Sequence, residues 1–114
     1  MPKEYIVNPI TEPVNVLDVT NSSSTLTHSV ATIGITTGIA LAANTNRKYA
    51  LFVNDSDTTI YIMFGASAVL SQGIRINAHG GSYELSAACG NLDKRVINAI
   101  CSVADKKLIV TEGV

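Results

Sequence analysis

Two histidines and two cysteines are the residues of this sequence whose types suit nucleophilic or metal chemistry. Cys89 and Cys101 do not form a Cys-x-x-Cys pair, and His28 and His79 have neither His-x-His nor His-x-x-x-His spacing, so the usual zinc patterns are missing. A dyad of Cys89 with His79 is conceivable because a short predicted strand separates them, but the local signatures of cysteine nucleophiles are absent. We expect no metal and no catalytic site, hence a protein that is not an enzyme.

The cysteines have small or apolar neighbours, Ala-Ala-Cys-Gly at Cys89 and Ala-Ile-Cys-Ser at Cys101. This setting favours two reduced, buried thiols that behave as small hydrophobes. One disulfide between them is the alternative.

Two short motifs imitate ligand-binding loops. Asp55-Ser-Asp57 resembles the opening of a calcium loop, but the Gly and the distal Glu of an EF-hand do not follow at the required spacing. His79-Gly-Gly81 suggests a phosphate cradle, but it lacks the Gly-x-x-x-x-Gly-Lys pattern and a helix behind it. Both motifs are more typical of turns between strands, so we expect no cofactor.

Charge argues against a nucleic-acid partner. The 114 residues carry 8 Lys and Arg against 9 Asp and Glu, a formal net charge of −1, and only 15% of them are charged. Three basic pairs lie on separate predicted turns: Arg47–Lys48, Lys94–Arg95 and Lys106–Lys107. Few aromatic side chains accompany them for base stacking, so we interpret these pairs as charges that keep turns and sheet edges soluble.

Arg75 stands between Ile74 and Ile76 on a predicted strand. An arginine in this setting can be a buried or interfacial partner for a carboxylate, although an exposed strand arginine is the commoner case.

Hydropathy is high without a membrane signal. Hydrophobic residues make up 46% of the chain and the mean hydropathy is +0.28, yet no apolar run reaches the length of about eighteen residues that spans a bilayer. The first five residues lack the apolar segment of a signal peptide, so we expect synthesis in the cytosol and no membrane partner. A surface with few charges suits contact with other protein.

The elements that must position these residues are strands. From Ser29 onward, segments rich in β-branched residues alternate with Gly, Asn and Asp turns, and no long helical periodicity occurs. The spacing predicts an all-β, single-domain β-sandwich of about seven to nine strands over residues 29–114, with jelly-roll or immunoglobulin-like topology.

Residues 1–28 differ from the rest and are predicted to form an N-terminal arm. Three prolines within the first thirteen residues indicate an extended stretch. Residues 14–20 are predicted as a short strand, and the polar cluster Asn21–Thr25 as an exposed loop.

Three hairpins are predicted within the sandwich. Their strands are residues 48–54 with 59–64, 73–77 with 82–86, and 96–103 with 108–112. The first pair consists of almost unbroken apolar runs, which indicate strands covered on both faces. Since a two-layer sandwich covers one face of each sheet, we expect the second face of these runs to meet a loop, the arm or a second subunit.

Three segments resemble small virion proteins of tailed bacteriophages: residues 41–65, 73–85 and 99–113. The resemblance lies in an ordered set of phrases: Asn46-Arg-Lys48, Asn54-Asp-Ser-Asp-Thr58, Phe64-Gly65, Gly80-Gly-Ser-Tyr-Glu84 and Val110-Thr-Glu-Gly113. It implies a structural protein of the capsid, a decoration or cement protein. Such proteins are typically small β-sandwiches on the outer capsid surface, often trimeric, that bridge neighbouring major capsid subunits.

We therefore expect a homotrimer that binds the major capsid protein at the virion surface and stabilises the capsid lattice. The oligomer interface is predicted at Tyr49, Leu51, Val53, Tyr61, Met63 and Arg75. The arm is expected to lie over an adjacent subunit through the apolar anchors Tyr5, Ile6, Val7 and Ile10.

The alternative is a tail, neck or fibre module that binds a receptor or carbohydrate. Tyr83 with Glu84, or Asp55 and Asp57 with Tyr61, are the aromatic and acidic groups that could meet a sugar.

Overall fold

A computed structural model describes residues 22–114, which form eight β-strands and no helix. The strands are β1 Leu26–Ile33, β2 Gly38–Leu41, β3 Tyr49–Asn54, β4 Ile60–Phe64, β5 Ile74–Ile76, β6 Ser82–Ser86, β7 Ile97–Cys101 and β8 Lys106–Gly113. In this part of the chain there is accordingly no helix long and apolar enough to cross a membrane.

The strands form two antiparallel sheets that pack face to face. Sheet A has the order β1-β8-β3-β6 and sheet B the order β2-β7-β4-β5. Both sheets contribute to one core, which consists of Ile33, Ala50, Phe52, Leu85, Leu108 and Val110 from sheet A and Ala40, Ile60, Ile62, Ile76, Ile97, Ala99 and Cys101 from sheet B. The prediction of an all-β sandwich with about seven to nine strands is confirmed.

Burial alternates along the two apolar runs at the centre of the sheets. In β3, Ala50, Phe52 and Asn54 are buried, and the residues between them are half-buried. In β4, Ile60 and Ile62 are buried in the same way. The single chain therefore covers one face of each run, and what meets the second face stays a prediction.

Consecutive strands mostly lie in opposite sheets. Among the eight described strands, β4 and β5 are the only consecutive pair joined by hydrogen bonds. All three predicted hairpins are therefore wrong, because β3 and β4, β5 and β6, and β7 and β8 are each divided between the two sheets. The strands themselves were predicted at nearly their observed positions.

The connection after β3 shows the physical reason. The side chain of Asn54 is buried, and its Nδ2 donates to the carbonyls of Thr58 at 2.8 Å and Ile76 at 3.0 Å. Ser56 Oγ donates to Asn54 Oδ1 at 2.6 Å. These bonds shape residues 55–58 into an arch that carries the chain into sheet B, and turns and arches share the same polar composition.

The strand pairs are nested around the connection between β4 and β5. β4 pairs with β5, β3 with β6, β2 with β7 and β1 with β8, all antiparallel. The chain is thus arranged as one long two-stranded ribbon wrapped into two layers. Two further pairs, β3 with β8 and β4 with β7, complete the sheets.

The sandwich begins at Leu26, three residues before the predicted boundary at Ser29. Residues 22–25 are outside any strand and mostly exposed, as expected for the polar loop. The predicted strand 14–20 lies outside the described residues.

Candidate functional site

The residues suited to chemistry do not converge. His28 lies on β1, His79 is an exposed turn residue with φ of 62°, Cys89 is exposed after β6, and Cys101 is buried in β7. The five residues of β6 separate His79 from Cys89, so the two lie beyond opposite ends of this strand and do not form the conceivable dyad. Among residues 22–114, no group of three or more His, Cys, Asp or Glu could hold a metal ion.

Both cysteines are free thiols, so the alternative of a disulfide between them is wrong. The prediction of a buried thiol is confirmed for Cys101 but wrong for Cys89, which stands exposed in the turn after β6. Small neighbours are equally compatible with a core strand and with a tight turn, which is why they misled for Cys89.

The outward face of sheet A, which we call the A face, carries aligned rows of side chains. Its central row is aliphatic and consists of Val30, Ile109 and Val53. On one side of it follow the row His28–Thr111–Leu51–Glu84 and then the row Leu26–Gly113–Tyr49–Ser86, and on the other side lies the pair Thr32–Lys107. Val30 is 62% exposed and Leu26 55% exposed, so the described residues leave this aliphatic surface open.

Polar side chains on the A face bind one another. His28 Nδ1 lies 2.9 Å from Thr111 Oγ1, and the Tyr49 hydroxyl donates to Glu84 Oε2 at 2.6 Å. This hydrogen bond, with smaller contributions from burial and from the charge of Glu84, raises the pKa of Tyr49, which keeps the phenol a neutral donor. The A face therefore presents aliphatic carbon framed by hydrogen-bonded polar groups, of which Glu84 and Lys107 are charged and exposed.

An open groove of about 670 Å³ lies at the Leu26 end of the A face. It is lined by Ser22, Ser23, Leu26, Lys48, Tyr49, Ser86, Ala87 and Ala88. Gly113 permits the close approach of the chain here, because a Cβ atom at this position would collide with the side chain of Ser23.

The outward face of sheet B, which we call the B face, is less continuous. Met63 and Ile39 both lie opposite Asn98, whose side chain donates to the carbonyl of Ala66 at 2.7 Å. The pairing of β2 also shifts register between Ile39 and Leu41. A polar residue thus interrupts this face where the A face has its aliphatic row.

The six residues predicted for the oligomer interface divide between the two faces. Tyr49, Leu51 and Val53 are the outward residues of β3 on the A face, whereas Tyr61, Met63 and Arg75 belong to the B face on the opposite side. A single flat contact cannot contain both sets. The predicted hairpin had placed β3 and β4 in one sheet, and their separation removes that arrangement.

Arg75 is exposed, and its Nε donates to Asn77 Oδ1 at 3.0 Å. Arg75 is therefore not buried within the chain, and its predicted place in an oligomer interface stays a prediction. The anchors predicted in the arm, Tyr5, Ile6, Val7 and Ile10, lie outside the described residues.

Among residues 22–114, Arg47 is the charged residue that is completely buried. Its Nε donates to Glu112 Oε2 at 2.8 Å, and its Nη1 donates to the carbonyls of Asp93 at 2.8 Å and Arg95 at 3.0 Å. Its Nη2 donates to the carbonyl of Ala42. Arg47 therefore joins the segments before β3 and β7, the segment after β2 and strand β8, and it has no surface to offer to a nucleic acid.

The remaining basic pairs also have partners within the protein. Arg95 forms an ion pair with Asp93 at 2.8 Å, and the hydrogen bond from Arg95 lowers the pKa of Asp93. Lys106 forms an ion pair with Asp57 at 2.7 Å. The interpretation of the basic pairs as charges that keep turns and sheet edges soluble is wrong for Arg47, which is buried, and stays a prediction for the exposed Arg95 and Lys107.

Sequence reasoning missed both the Arg47 cluster and the open aliphatic row. The first had no local signal, because Arg47 and Glu112 lie 65 positions apart. A signal for the second was the uncharged alternation of Leu26, His28 and Val30, which places both aliphatic residues on one face.

Of the two proposed sets of sugar contacts, the pair of Tyr83 with Glu84 is separated. Tyr83 is directed toward the core, where its ring centroid lies 6.3 Å from that of Phe64, while Glu84 is exposed on the A face. Asp57, which belongs to the second set, forms an ion pair with Lys106. The sequence-predicted pair of Tyr83 with Glu84 therefore does not form one site.

Comparison with known proteins adds no relative to this picture. A scan against protein-family models, a search of curated proteins and a search of solved structures each return no match.

Proposed function

We propose that this chain is a structural protein of a tailed-phage virion, a capsid decoration protein that binds the major capsid protein and stabilises the capsid lattice. The resemblance in the sequence supports this function. Its three segments, residues 41–65, 73–85 and 99–113, extend from β3 to β8 and include the two ends of the buried Arg47–Glu112 pair.

The finer topology that we propose is a jelly roll. The nested pairing of β1 with β8, β2 with β7, β3 with β6 and β4 with β5 supports it, because a jelly roll is a wrapped two-stranded ribbon of eight strands. An immunoglobulin-like sandwich would have more consecutive strands paired within one sheet. Jelly rolls are frequent in viral capsid domains and also in lectins, so the topology alone does not select the function.

The open aliphatic row of the A face is the observation that carries the proposal. Val30, Ile109 and Val53 are aligned across three strands, and Val30 is largely exposed. Contact with capsid protein would remove this row from water, which is the main favourable term in protein association. Because the row itself is uncharged, and the exposed charges beside it, Lys107 and Glu84, have opposite signs, binding should depend only weakly on salt.

A matched pair of variants tests which face binds. Val53→Lys places a charge at the centre of the A face, and Met63→Lys places one at the centre of the B face; both positions are half-buried on central strands. We expect Val53→Lys to weaken binding to undecorated capsids by about tenfold or more, because an unpaired charge would be desolvated. Met63→Lys should bind as the wild type does.

Two results would contradict the proposal. Loss of binding in Met63→Lys alone would overturn the A face as the contact. Wild-type protein that does not bind undecorated capsids at micromolar concentration would overturn the decoration function. Melting temperatures of both variants establish that they fold.

The residues predicted for the oligomer interface, which are divided between the A and B faces, do not suit the expected homotrimer. A closed ring uses two patches inclined toward each other, whereas the A and B faces point in opposite directions and would stack copies in a line. Self-association is part of the proposal, and the number of copies is measured by native mass spectrometry.

A carbohydrate-binding module remains the second candidate because of the groove at the Leu26 end of the A face. The groove is lined by Tyr49, which is hydrogen-bonded to Glu84, and by three serines, Ser22, Ser23 and Ser86. An aromatic ring, an acid and hydroxyl groups suit a sugar. A glycan array with the wild type and Tyr49→Ala tests it, and binding that Tyr49→Ala abolishes would favour this function over capsid decoration.

A further inference from the structure

The four edge strands of the sandwich are unequal. β2 has four residues and an irregular register, β5 has three residues with Arg75 at its centre, and β6 has five residues with the exposed Glu84. Shortness, irregular register and charge are the devices by which proteins prevent edge strands from pairing with other chains. These three edges are therefore protected against pairing with another chain.

β1 has none of these devices. Its eight residues, Leu26–Ile33, contain no Lys, Arg, Asp, Glu, Pro or Gly, and they pair with β8 in continuous register. Within residues 22–114, β1 has a neighbouring strand on one side only. Leu26–Val30 are exposed throughout, including Thr27 and Ser29, which alternate with the outward residues. An edge about 27 Å long is thus open to strand addition.

We propose that β1 pairs antiparallel with β1 of a second copy of this chain, about a two-fold axis that passes beside Val30. The two sheets A then form one continuous sheet of eight strands. A two-fold contact must be complementary to itself, and an uncharged strand meets this condition because no like charges come together.

The position of the axis follows from the aliphatic row. With the axis at Val30, this residue lies opposite Val30 of the second copy, and the row Val53–Ile109–Val30 continues into the same row of the other copy. An axis at Ser29 would instead place His28 opposite Val30 of the second copy. Two aliphatic side chains opposite each other stabilise antiparallel strands more than a histidine opposite a valine does. The register with the axis at Val30 is therefore favoured.

Residues 22–25, which precede β1, run away from this edge. The backbone N–H of Ser24 donates to the carbonyl of Val114 at 2.8 Å, and Lys48 Nζ donates to the carbonyl of Ser22 at 3.3 Å. This path crosses β8 toward β3, on the side of β1 opposite to its open edge. The geometry thus favours a second copy over the chain's own upstream residues as the occupant.

The pairing would place the A faces of both copies on the same side of one sheet. If the A face binds capsid protein, as proposed above, the dimer doubles the contact surface and gains avidity. The dimer itself does not depend on that function: a monomer that still binds capsids would overturn the dimer alone, whereas a dimer that ignores capsids would overturn the function alone.

Native mass spectrometry of the wild type and two lysine variants tests the proposal. Val30→Lys brings two like charges together at the axis, while Ile39→Lys is its matched control, since Ile39 is 65% exposed on edge strand β2 of the other sheet. We expect the wild type and Ile39→Lys at twice the chain mass of 12.0 kDa, and Val30→Lys at the chain mass. A monomeric wild type, a trimer, or a dimer that survives Val30→Lys would overturn the proposal.

Cross-linking tests the register. In a Cys89→Ser background, Val30→Cys places two thiols opposite each other at the axis, within the Cα distance of about 4.4–6.8 Å that a disulfide requires. Thr32→Cys, two residues along the same face, places them beyond that reach. Rapid oxidation to a covalent dimer is expected for Val30→Cys and not for Thr32→Cys. Equal cross-linking of both, or of neither, would overturn the two-fold axis at Val30.

Discussion

The Arg47 cluster and the aliphatic row of the A face lie in the same small sandwich and use opposite chemistry. Arg47 is a full charge with no exposed surface, held by Glu112 and by three backbone carbonyls. Val30 is an aliphatic residue with 62% of its surface exposed. The usual assignment of charge to the surface and aliphatic carbon to the interior is reversed at both places.

The difference shows that the two regions have different tasks. A guanidinium with several donors can join loops that have no other common core, and the cluster ties together segments before β3 and β7, after β2 and within β8. The aliphatic row adds little to the stability of one chain, because water still reaches Val30. Contact with another molecule is the role that we propose for it.

The largest expected effect comes from breaking the Arg47 cluster. Arg47→Met should lower the free energy of unfolding by about 3–5 kcal/mol, because Glu112 and three carbonyls lose their partner in a largely buried site. Arg75→Met is the control, since Arg75 is exposed, and should change it by no more than about 0.5 kcal/mol. Urea unfolding of both variants measures the difference, and equal losses would contradict the comparison.

Two leucines sharpen the contrast between inner and outer aliphatic residues. Leu108 is fully buried in β8, and Leu26 is 55% exposed on β1. Leu108→Ala should lower the free energy of unfolding by about 2–5 kcal/mol through the cavity that it leaves. Leu26→Ala should change it by about 0.5 kcal/mol or less. A loss of several kcal/mol in Leu26→Ala, measured on the monomer, would show that the A face contributes to the core.

The arch between β3 and β4 should respond to the loss of the Asn54 side chain. Asn54→Ala leaves the carbonyls of Thr58 and Ile76 without their donor, with an expected loss of about 1–3 kcal/mol. Asn46→Ala, at an exposed turn, is the control and should be nearly neutral. Thermal unfolding compares the two, and a neutral Asn54→Ala would mean that the arch does not need this side chain.

The smallest effect concerns an exposed ion pair and depends on pH. Hydrogen bonds from Lys106 and Thr58, and the charge of Lys106, lower the pKa of Asp57. A carboxyl with a lowered pKa in the folded state contributes stability above its unfolded value of about 3.9, and this contribution disappears as the pH falls through the folded value. Asp57→Asn should therefore melt slightly below the wild type at pH 7, and the two should coincide in strong acid. Because the pair is exposed, 1 M NaCl should narrow the gap at pH 7, and a gap that persists in acid would contradict the assignment.

Much of the fold could be predicted from local patterns, and the site could be predicted only in part. β3, β4 and β6 begin and end within about one residue of the predicted bounds, because strand period and turn residues are local properties. Whether residues 55–58 return the chain in the same sheet or carry it across the core depends on Asn54 reaching Ile76, twenty-two positions away. The composition of residues 55–58 does not indicate that contact.

The all-β class, the positions of most strands and the near-neutral surface could be predicted, since these depend on residue types and on neighbours a few positions apart. The burial of Arg47 and the open edge of β1 became visible in the folded structure alone. Arg47 meets Glu112 across 65 positions, and Leu26 pairs with Gly113 at the far end of the described chain. Burial and pairing of this kind arise when distant segments come together, so no local pattern contains them.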